Sequence, residues 1–279
     1  MFRPTIRRFG MPPFPFAPSP GKSFRIRRIA DPATGRFVMI PMDHGVSNGP
    51  LEGLVDPAAS ASAADRGGAT SVIVHKGLVP AVGASLRAAG LVVHLSASTA
   101  LNPDPNDKRL VCTVDEAIAL GADAISVHVN VGAPTESRMV EDLGAIARDC
   151  VRAGMPLLAM MYPRGHDIAD PHDVKYVKHV ARLGAELGAD VVKCPYTGSI
   201  ETFREVVQGC PVPVVISGGP KAGSDEAFLR MVADAMRAGA AGVSVGRNAF
   251  AHAKPEAMVR AIAEIVLKGA SPADVRKLL

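Results

Sequence analysis

One pattern repeats along the chain after residue 35: a short run of apolar residues is followed by a longer segment with helical character. The runs are nearly continuous rather than alternating, which is typical of strands covered on both faces in a parallel sheet. This pattern predicts eight strands, at Arg36–Pro41, Thr70–His75, Leu91–Ser96, Ala124–Asn130, Pro156–Tyr162, Ala189–Cys194, Val212–Ser217 and Gly242–Gly246.

The junctions between these segments follow a common pattern as well. Glycine stands just before four of the predicted strands, where it lets a helix end in the left-handed region. The joints are Gly67-Gly-Ala69, Gly121-Ala-Asp123, Gly188-Ala-Asp190 and Gly239-Ala-Ala241. Helix starts are predicted at Thr113, which forms a capping box with Glu116, and at the N-caps Thr135 and Ser224.

Eight strand–helix repeats in a chain of 279 residues predict an α/β fold, a single (β/α)8 TIM barrel. The alternative is a doubly wound open sheet. Its first strand is usually followed by a Gly-x-Gly-x-x-Gly fingerprint, whereas here the first strand runs into Pro41-Met-Asp-His-Gly45. The barrel is therefore favoured.

Composition narrows the class of protein. The chain is 48% apolar and 21% charged, which is typical of a globular protein. No apolar run reaches the roughly 20 residues of a membrane-spanning helix. The four cysteines form no Cys-x-x-Cys pair, so they are expected to be small buried groups in a cytoplasmic protein.

The positive charge is concentrated at the N-terminus. Residues 1–30 hold seven basic residues, no acidic residue and five of the nine phenylalanines. We predict an N-terminal Phe/Arg/Pro-rich extension over residues 1–30 and the barrel domain over residues 31–279. The extension is interpreted as an arm that lies on the surface or packs its phenylalanines on a neighbouring subunit. A membrane or nucleic-acid partner is not predicted.

Two loops resemble a phosphate site. In TIM barrels the loops after strands 7 and 8 commonly bind phosphate at the carboxyl ends of the strands. Here these loops are Ser217-Gly-Gly-Pro-Lys221 and Gly246-Arg-Asn248. Gly218 and Gly219 allow a close approach of backbone N–H groups to an anion, and Arg247 adds a fixed positive charge. A tight turn is the alternative for each glycine pair, and Lys221 could equally be a surface charge.

Lys193 is the most informative single residue, since it ends a buried strand and lysine is seldom buried without a role. Burial favours a neutral amine, which can attack a ketone to form a Schiff base. Tyr162 ends the preceding strand and could transfer protons, as could Asp43. The alternatives are a structural ion pair of Lys193 with Asp43, a rim position for Tyr162 and an Asx turn at Asp43.

Histidines offer a competing interpretation. His44, His75, His94 and His128 lie near the ends of consecutive strands, and a metal-dependent lyase or hydrolase would use such a set. However, no His-x-His pair occurs and no Glu follows at ligand spacing, so no metal is predicted. We expect His44, His128 and Arg164 to contact substrate instead. A phosphosugar-binding protein without catalytic activity is a third possibility.

The motifs together resemble the archaeal-type class I (Schiff-base) aldolase family. They are PMDHGVSNGP (41–50), SVHVNVG (126–132), PLLAMMYPRG (156–165), VKCPYTG (192–198), GGPK (218–221) and VGRN (245–248). Within the family, the chain is most similar to the branch of 2-amino-3,7-dideoxy-D-threo-hept-6-ulosonate synthases and 2-amino-4,5-dihydroxy-6-oxo-7-(phosphonooxy)heptanoate synthases.

The resemblance implies specific roles. Lys193 corresponds to the Schiff-base lysine, Tyr162 to the acid/base tyrosine and Asp43 to the second catalytic acid. It further implies metal-independent catalysis without a cofactor, and a homo-oligomer such as the decamers that members of the family often form. The donor would be dihydroxyacetone phosphate or a deoxyketohexose phosphate, and the acceptor an aldehyde such as L-aspartate semialdehyde, in aromatic amino acid or aminohydroxybenzoate-type biosynthesis. A class I fructose-bisphosphate aldolase is the alternative within the family.

Overall fold

The structure is a computed structural model that describes residues 19–219 and 223–279. Its strands are β1 (Phe37–Pro41), β2 (Ser71–His75), β3 (Gly90–His94), β4 (Ser96–Ala97), β5 (Arg109–Leu110), β6 (Ala124–Val131), β7 (Leu157–Pro163), β8 (Val191–Cys194), β9 (Val214–Ser217) and β10 (Gly242–Ser244). Its α-helices are α1 (Pro20–Ile29), α2 (His44–Asn48), α3 (Pro57–Arg66), α4 (Val79–Gly83), α5 (Val114–Ala119), α6 (Glu136–Ala153), α7 (Val174–Glu186), α8 (Ile200–Gly209), α9 (Asp225–Ala238), α10 (Arg247–Phe250), α11 (Pro255–Lys268) and α12 (Pro272–Arg276), and a 3₁₀ turn spans Lys76–Leu78.

Eight parallel strands close into a barrel in the order β1-β10-β9-β8-β7-β6-β3-β2. The predicted TIM barrel is thereby confirmed, and each predicted strand matches one barrel strand to within two residues at either end. The remaining two strands were not predicted. β4 and β5 pair antiparallel with each other just beyond the end of β3, as a separate two-stranded sheet.

Alternation along the strands decides which side chains face the interior of the barrel. Val191 of β8 packs inside, in a cluster that includes Met160 and Val215. Lys193 follows two residues later and therefore faces the same way. Val192 and Cys194 belong to the other core, between the sheet and the surrounding helices. Both faces of each barrel strand are largely buried, which explains the continuous apolar runs in the sequence.

Helix α1 covers the barrel at the end where the strands begin. Its Ile26 and Ile29 are only 1% exposed and pack with Phe37 in the interior cluster. The backbone of α1 approaches the first residue of β3 so closely that a Cβ on Gly90 would lie 2.4 Å from the carbonyl oxygen of Arg28. Residues 20–29 of the predicted extension thus pack on the barrel, whereas residues 1–18 lie outside the described residues.

Two ion pairs attach α1 to glycine-containing joints of the barrel. Lys22 Nζ lies 2.7 Å from Asp190 Oδ2, and both side chains are largely buried. Arg28 Nε lies 2.6 Å from Asp123 Oδ1. Each aspartate also accepts a backbone N–H from a neighbouring strand, Asp190 from Leu157 and Asp123 from Leu91. Part of the N-terminal positive charge is therefore balanced within the fold.

The predicted helix boundaries are mostly confirmed. Thr113 and Glu116 form the capping box of α5, and Ser224 caps α9. Gly121, Gly188 and Gly239 have φ of 85°, 100° and 105°, as expected for helix ends in the left-handed region. In the first joint the left-handed residue is Gly68.

The prediction that the side chain of Thr135 caps helix α6 is wrong. Thr135 does precede α6, but its side chain makes no capping bond. Its φ of −102° and ψ of 16° differ from the extended geometry that Ser224 adopts at the cap of α9. Glu136 instead turns back to accept the N–H of Gly132.

The four cysteines are free and buried, as predicted. None of the helices in the described residues combines the length and the apolar character needed to span a membrane.

Candidate active site

One cavity of about 310 Å³ opens at the carboxyl ends of the barrel strands. Eleven of the twelve predicted site residues line it: Asp43, His44, His128, Tyr162, Arg164, Lys193, Ser217, Gly218, Gly219, Gly246 and Arg247. The twelfth, Lys221, lies outside the described residues. These eleven residues come from six of the eight barrel strands or the loops after them, so they meet at one place, as the parallel topology requires.

Lys193 occupies the inner wall of this cavity. Its register partners are Met160 of β7 and Val215 of β9, and the residue is 6% exposed. Within the described residues, no carboxylate oxygen lies within 4.0 Å of its ammonium group, and the undescribed segments contain no Asp or Glu. The alternative of a direct ion pair between Lys193 and Asp43 is thus not what the structure contains.

Asp43 lies immediately before helix α2 and is surrounded by imidazoles. Its Oδ1 lies 3.4 Å from His44 Nδ1 and its Oδ2 lies 3.7 Å from His94 Nε2. Burial alone would raise the pKa of Asp43, but electrostatic interactions with His94, His44 and Lys193 lower it well below its usual range. The carboxyl group is therefore an anion at neutral pH, and it lines the same cavity as Lys193.

The imidazoles around Asp43 are themselves neutral. Burial lowers the pKa of His94 to about 3, although the charge of Asp43 opposes the shift. His94 Nδ1 lies 2.8 Å from Ser126 Oγ, and the ring meets that of His75 edge to face at 5.2 Å. Burial also lowers the pKa of His44 and His75. In the described part of the chain, no three His, Cys, Asp or Glu side chains converge as metal ligands would.

Tyr162 lies near the end of β7, where its ring contacts an imidazole and a guanidinium group. Its ring centroid lies 4.8 Å from that of His128 and 4.5 Å from the guanidinium carbon of Arg164. The side-chain N–H of Asn130 donates to the carbonyl oxygen of Asn106, so the Asn130 Oδ1 atom is free to accept. His128 Nε2 is therefore the donor in its 2.8 Å hydrogen bond with Asn130 Oδ1. Burial, with the charges of Lys108 and Arg164, keeps the pKa of His128 well below 6.5. These contacts fix the tyrosine ring beside a neutral imidazole.

The loops after β9 and β10 lie against each other. Arg247 Nη2 donates to the carbonyl oxygen of Gly219 and Asn248 Nδ2 to that of Gly218, both at 3.0 Å. Gly219 has a φ of 64°, which favours glycine. A Cβ on Gly246 would lie 2.7 Å from the carbonyl oxygen of Pro41, so only glycine fits. The two loops that the sequence predicts as a phosphate site are therefore adjacent, with the guanidinium group of Arg247 beside the backbone of Gly219.

Sequence reasoning missed the contribution of the segment after β3. Ser98, Asn106 and Lys108 line the same cavity, together with Ser47 and Asn48 of helix α2. Nothing in the periodicity of residues 97–110 indicates this, because the segment is polar and forms only the two-residue strands β4 and β5. The only available signal was a lysine in a stretch following a strand end.

Comparisons with known proteins give consistent results. A family model described as DeoC/LacD family aldolase matches residues 37–252. A 2-amino-3,7-dideoxy-D-threo-hept-6-ulosonate synthase of Halobacterium salinarum is 45% identical over 252 residues, covering 90% of this chain and 94% of that protein. A 2-amino-4,5-dihydroxy-6-oxo-7-(phosphonooxy)heptanoate synthase of Streptomyces griseus is 41% identical over 258 residues, covering 91% and 92%.

The fold comparison points the same way. A solved archaeal fructose-1,6-bisphosphate aldolase, with its catalytic Lys covalently bound to the carbinolamine intermediate of the substrate, superposes with a TM-score of 0.82. It is 31% identical in sequence, and the match covers 88% of this chain and 99% of that one.

Proposed function

The chain belongs to the DeoC/LacD aldolase family and is an aldolase of the Schiff-base class, and from this premise we propose that Lys193 joins a three-carbon ketone unit to L-aspartate semialdehyde. The observation that carries the proposal is the position of the Lys193 amine. It is buried inside the barrel, without a carboxylate partner in the described structure, in the cavity that the two phosphate-type loops, Asp43 and Tyr162 also line.

The proposed first step is attack of the Lys193 amine on the donor ketone. The C–N bond forms, the carbonyl oxygen takes a proton, and loss of water leaves a protonated imine. The anionic carboxyl group of Asp43 stabilises the positive charge that develops on the nitrogen. The donor's phosphate binds the loops that contain Gly218, Gly219 and Arg247, which follow the two strands where TIM barrels commonly bind phosphate.

Carbon–carbon bond formation then uses the imine as an electron sink. A proton leaves the carbon next to the imine, and the electron pair moves to nitrogen to give an enamine. The enamine carbon attacks the aldehyde, whose oxygen takes up a proton as the new bond forms. We assign these proton transfers to Tyr162, whose ring is held by His128 and Arg164. Water finally releases the product and restores the amine.

The choice of acceptor comes from the products named for the two relatives. Both have a ketone at C6 and hydroxyl groups at C4 and C5, so the aldol bond is C4–C5. Breaking this bond leaves 2-amino-4-oxobutanoate, which is aspartate semialdehyde, from C1 to C4. The other fragment is dihydroxyacetone phosphate where C7 carries phosphate, and a hydroxyacetone unit where C7 is a methyl group. A deoxyketohexose phosphate would supply the latter by releasing a three-carbon phosphorylated aldehyde.

The oligomeric state and the cofactor requirement of the enzyme are also proposals. We propose that the enzyme is a cytoplasmic homo-oligomer, and the family resemblance favours a decamer. Light scattering on purified protein would measure the number of subunits. We also propose that it works without a metal or other cofactor, because a lysine imine supplies the electron sink that a metal would otherwise provide.

The test is a matrix of donors and acceptors with the purified protein. Dihydroxyacetone phosphate and a deoxyketohexose phosphate are each paired with L-aspartate semialdehyde and with glyceraldehyde 3-phosphate, and products are identified by mass spectrometry. A seven-carbon amino acid product supports the proposal. Fructose bisphosphate as the sole product would favour the alternative aldolase. Loss of rate in EDTA that a divalent metal restores would favour the metal-dependent lyase.

A further inference from the structure

Lys108 is a cation in the cavity for which the proposed reaction has no use. It follows the loop of residues 98–107, which connects β4 to β5 at the mouth of the barrel. Its Nζ donates to Ser98 Oγ at 2.6 Å, across the base of this loop. Burial and the nearby charge of Arg164 lower the pKa of Lys108, while Asp43 opposes the shift.

The loop that carries Lys108 is firmly attached to the barrel. The side-chain amide of Asn130, which is fully buried, donates to the carbonyl oxygen of Asn106 at 2.8 Å. Arg138 of helix α6 pairs with Asp107 and also donates to the carbonyl oxygen of Lys108 at 3.1 Å. Contacts on both sides of Lys108 thus fix its backbone, so its ammonium group is positioned before any ligand arrives.

Lys108 and Arg164 also lack acidic partners. Among the described residues, no Asp or Glu oxygen lies within 4.0 Å of either side chain, and residues 1–18 and 220–222 contain no acid that could supply one. Two cations face one partly buried space, and Arg164 contributes to the lowered pKa of Lys108. Such an arrangement carries a standing repulsion that an incoming anion relieves.

The position of this charge in the barrel identifies the part of the substrate it meets. In the order of the barrel strands, β3 lies opposite β9, and β6 lies opposite β10. The phosphate-type loops follow β9 and β10, whereas Lys108 comes after β3. A donor held by its phosphate at one side and by Lys193 of β8 at its carbonyl presents its reacting carbon toward the other side. The acceptor therefore enters from the side of Lys108.

We propose that Lys108, which donates a hydrogen bond to Ser98 and lies near Arg164, binds the α-carboxylate of the acceptor aldehyde. In this way it selects an amino acid semialdehyde. This inference rests on the proposed function. The ammonium group lies at the non-reacting end of the acceptor, where it contributes to binding equally before and during the reaction. Its removal should accordingly raise KM for the acceptor and leave kcat nearly unchanged.

The experiment compares Lys108→Met with the wild-type enzyme on three acceptors: L-aspartate semialdehyde, butanal as an uncharged aldehyde of the same length, and glyceraldehyde 3-phosphate. With L-aspartate semialdehyde, loss of a charge-assisted hydrogen bond should raise KM by about 10- to 100-fold. With butanal, kinetics should change little. Lys108→Arg should recover part of the affinity. The matched control is Lys76→Met, because Lys76 follows the adjacent strand and pairs with Glu116.

Trapping of the donor separates this inference from the function on which it rests. Borohydride reduction with dihydroxyacetone phosphate should label Lys108→Met as efficiently as wild type, which also shows that the variant is folded. Failure to label either protein contradicts the proposed function. Normal labelling with equal losses for L-aspartate semialdehyde and butanal overturns the subsite alone. An effect confined to glyceraldehyde 3-phosphate overturns the assignment to a carboxylate.

Discussion

Replacement of Tyr162 by Phe isolates one hydroxyl group in the cavity. The ring would keep its contacts with His128, at 4.8 Å between centroids, and with the guanidinium carbon of Arg164, at 4.5 Å. The packing of the strand end therefore stays the same, and only the proton-transferring oxygen is lost. We expect a correctly folded enzyme that binds its substrates but reacts slowly.

The size of the loss follows from the role assigned to the hydroxyl. A positioned general acid–base contributes typically 10²- to 10⁴-fold to a rate, which corresponds to about 3–5 kcal/mol of transition-state stabilisation. We expect kcat for product formation to fall by about this factor, with little change in KM. Borohydride trapping on Lys193 should persist in Tyr162→Phe, since the amine and Asp43 are intact.

Tyr196→Phe is the matched control. Tyr196 is 8% exposed, it packs on Phe203 rather than in the active-site cavity, and its hydroxyl has no hydrogen-bond partner in the described structure. Its replacement should leave kcat unchanged. A general acid–base is expected to contribute at least about 10²-fold to kcat. The role of the Tyr162 hydroxyl would be refuted if kcat of Tyr162→Phe fell by less than about tenfold, or if kcat fell equally in both variants.

Three other predictions concern stability and binding. Lys22→Met leaves the buried Asp190 unpaired and should lower the free energy of unfolding at pH 7 by about 3–5 kcal/mol; the double change with Asp190→Asn should recover much of this in urea unfolding, and no recovery would contradict the pair. Because burial already raises the pKa of Asp190 above 3.8, the folded state binds its proton more tightly than the unfolded state, and the defect of Lys22→Met should shrink as the pH falls toward 3.8. Arg247→Met should raise KM for phosphorylated donors by about 10- to 100-fold but not for hydroxyacetone, and equal effects on both would exclude a phosphate contact. The folded-state pKa of His128 lies well below 6.5, so its contribution to stability is complete above pH 6.5 and is lost as the pH falls below that value. His128→Gln should therefore flatten the pH dependence of the free energy of unfolding by up to about 1.4 kcal/mol per pH unit. An unchanged slope would argue against a buried neutral imidazole.

The barrel could be predicted because its physical cause is local. Strands covered on both faces must be apolar throughout, and this requirement appears as a continuous run in each segment. Lys193 stands out for the same reason, because it is the one lysine within such a run. The parallel topology then brings it to the same cavity as Tyr162 and Arg247.

What the sequence did not indicate depends on contacts between distant residues. The position of Lys108 is set by Asn130 and Arg138, each more than twenty residues away in the chain. Helix α1 is similar. The charge of residues 1–30 suggests an arm on the surface or on a neighbouring subunit, but Ile26 and Ile29 close the barrel and Asp190 balances the charge of Lys22. Overall composition does not reveal such pairings.

The most direct test of the account is to trap the covalent intermediate. Wild-type protein is incubated with dihydroxyacetone phosphate, reduced with borohydride, digested and mapped by mass spectrometry, with Lys193→Met as the control. The account predicts a stable adduct on Lys193 in the wild type and none in the variant. An adduct on another lysine, or no adduct with dihydroxyacetone phosphate, fructose bisphosphate or a deoxyketohexose phosphate, would contradict it.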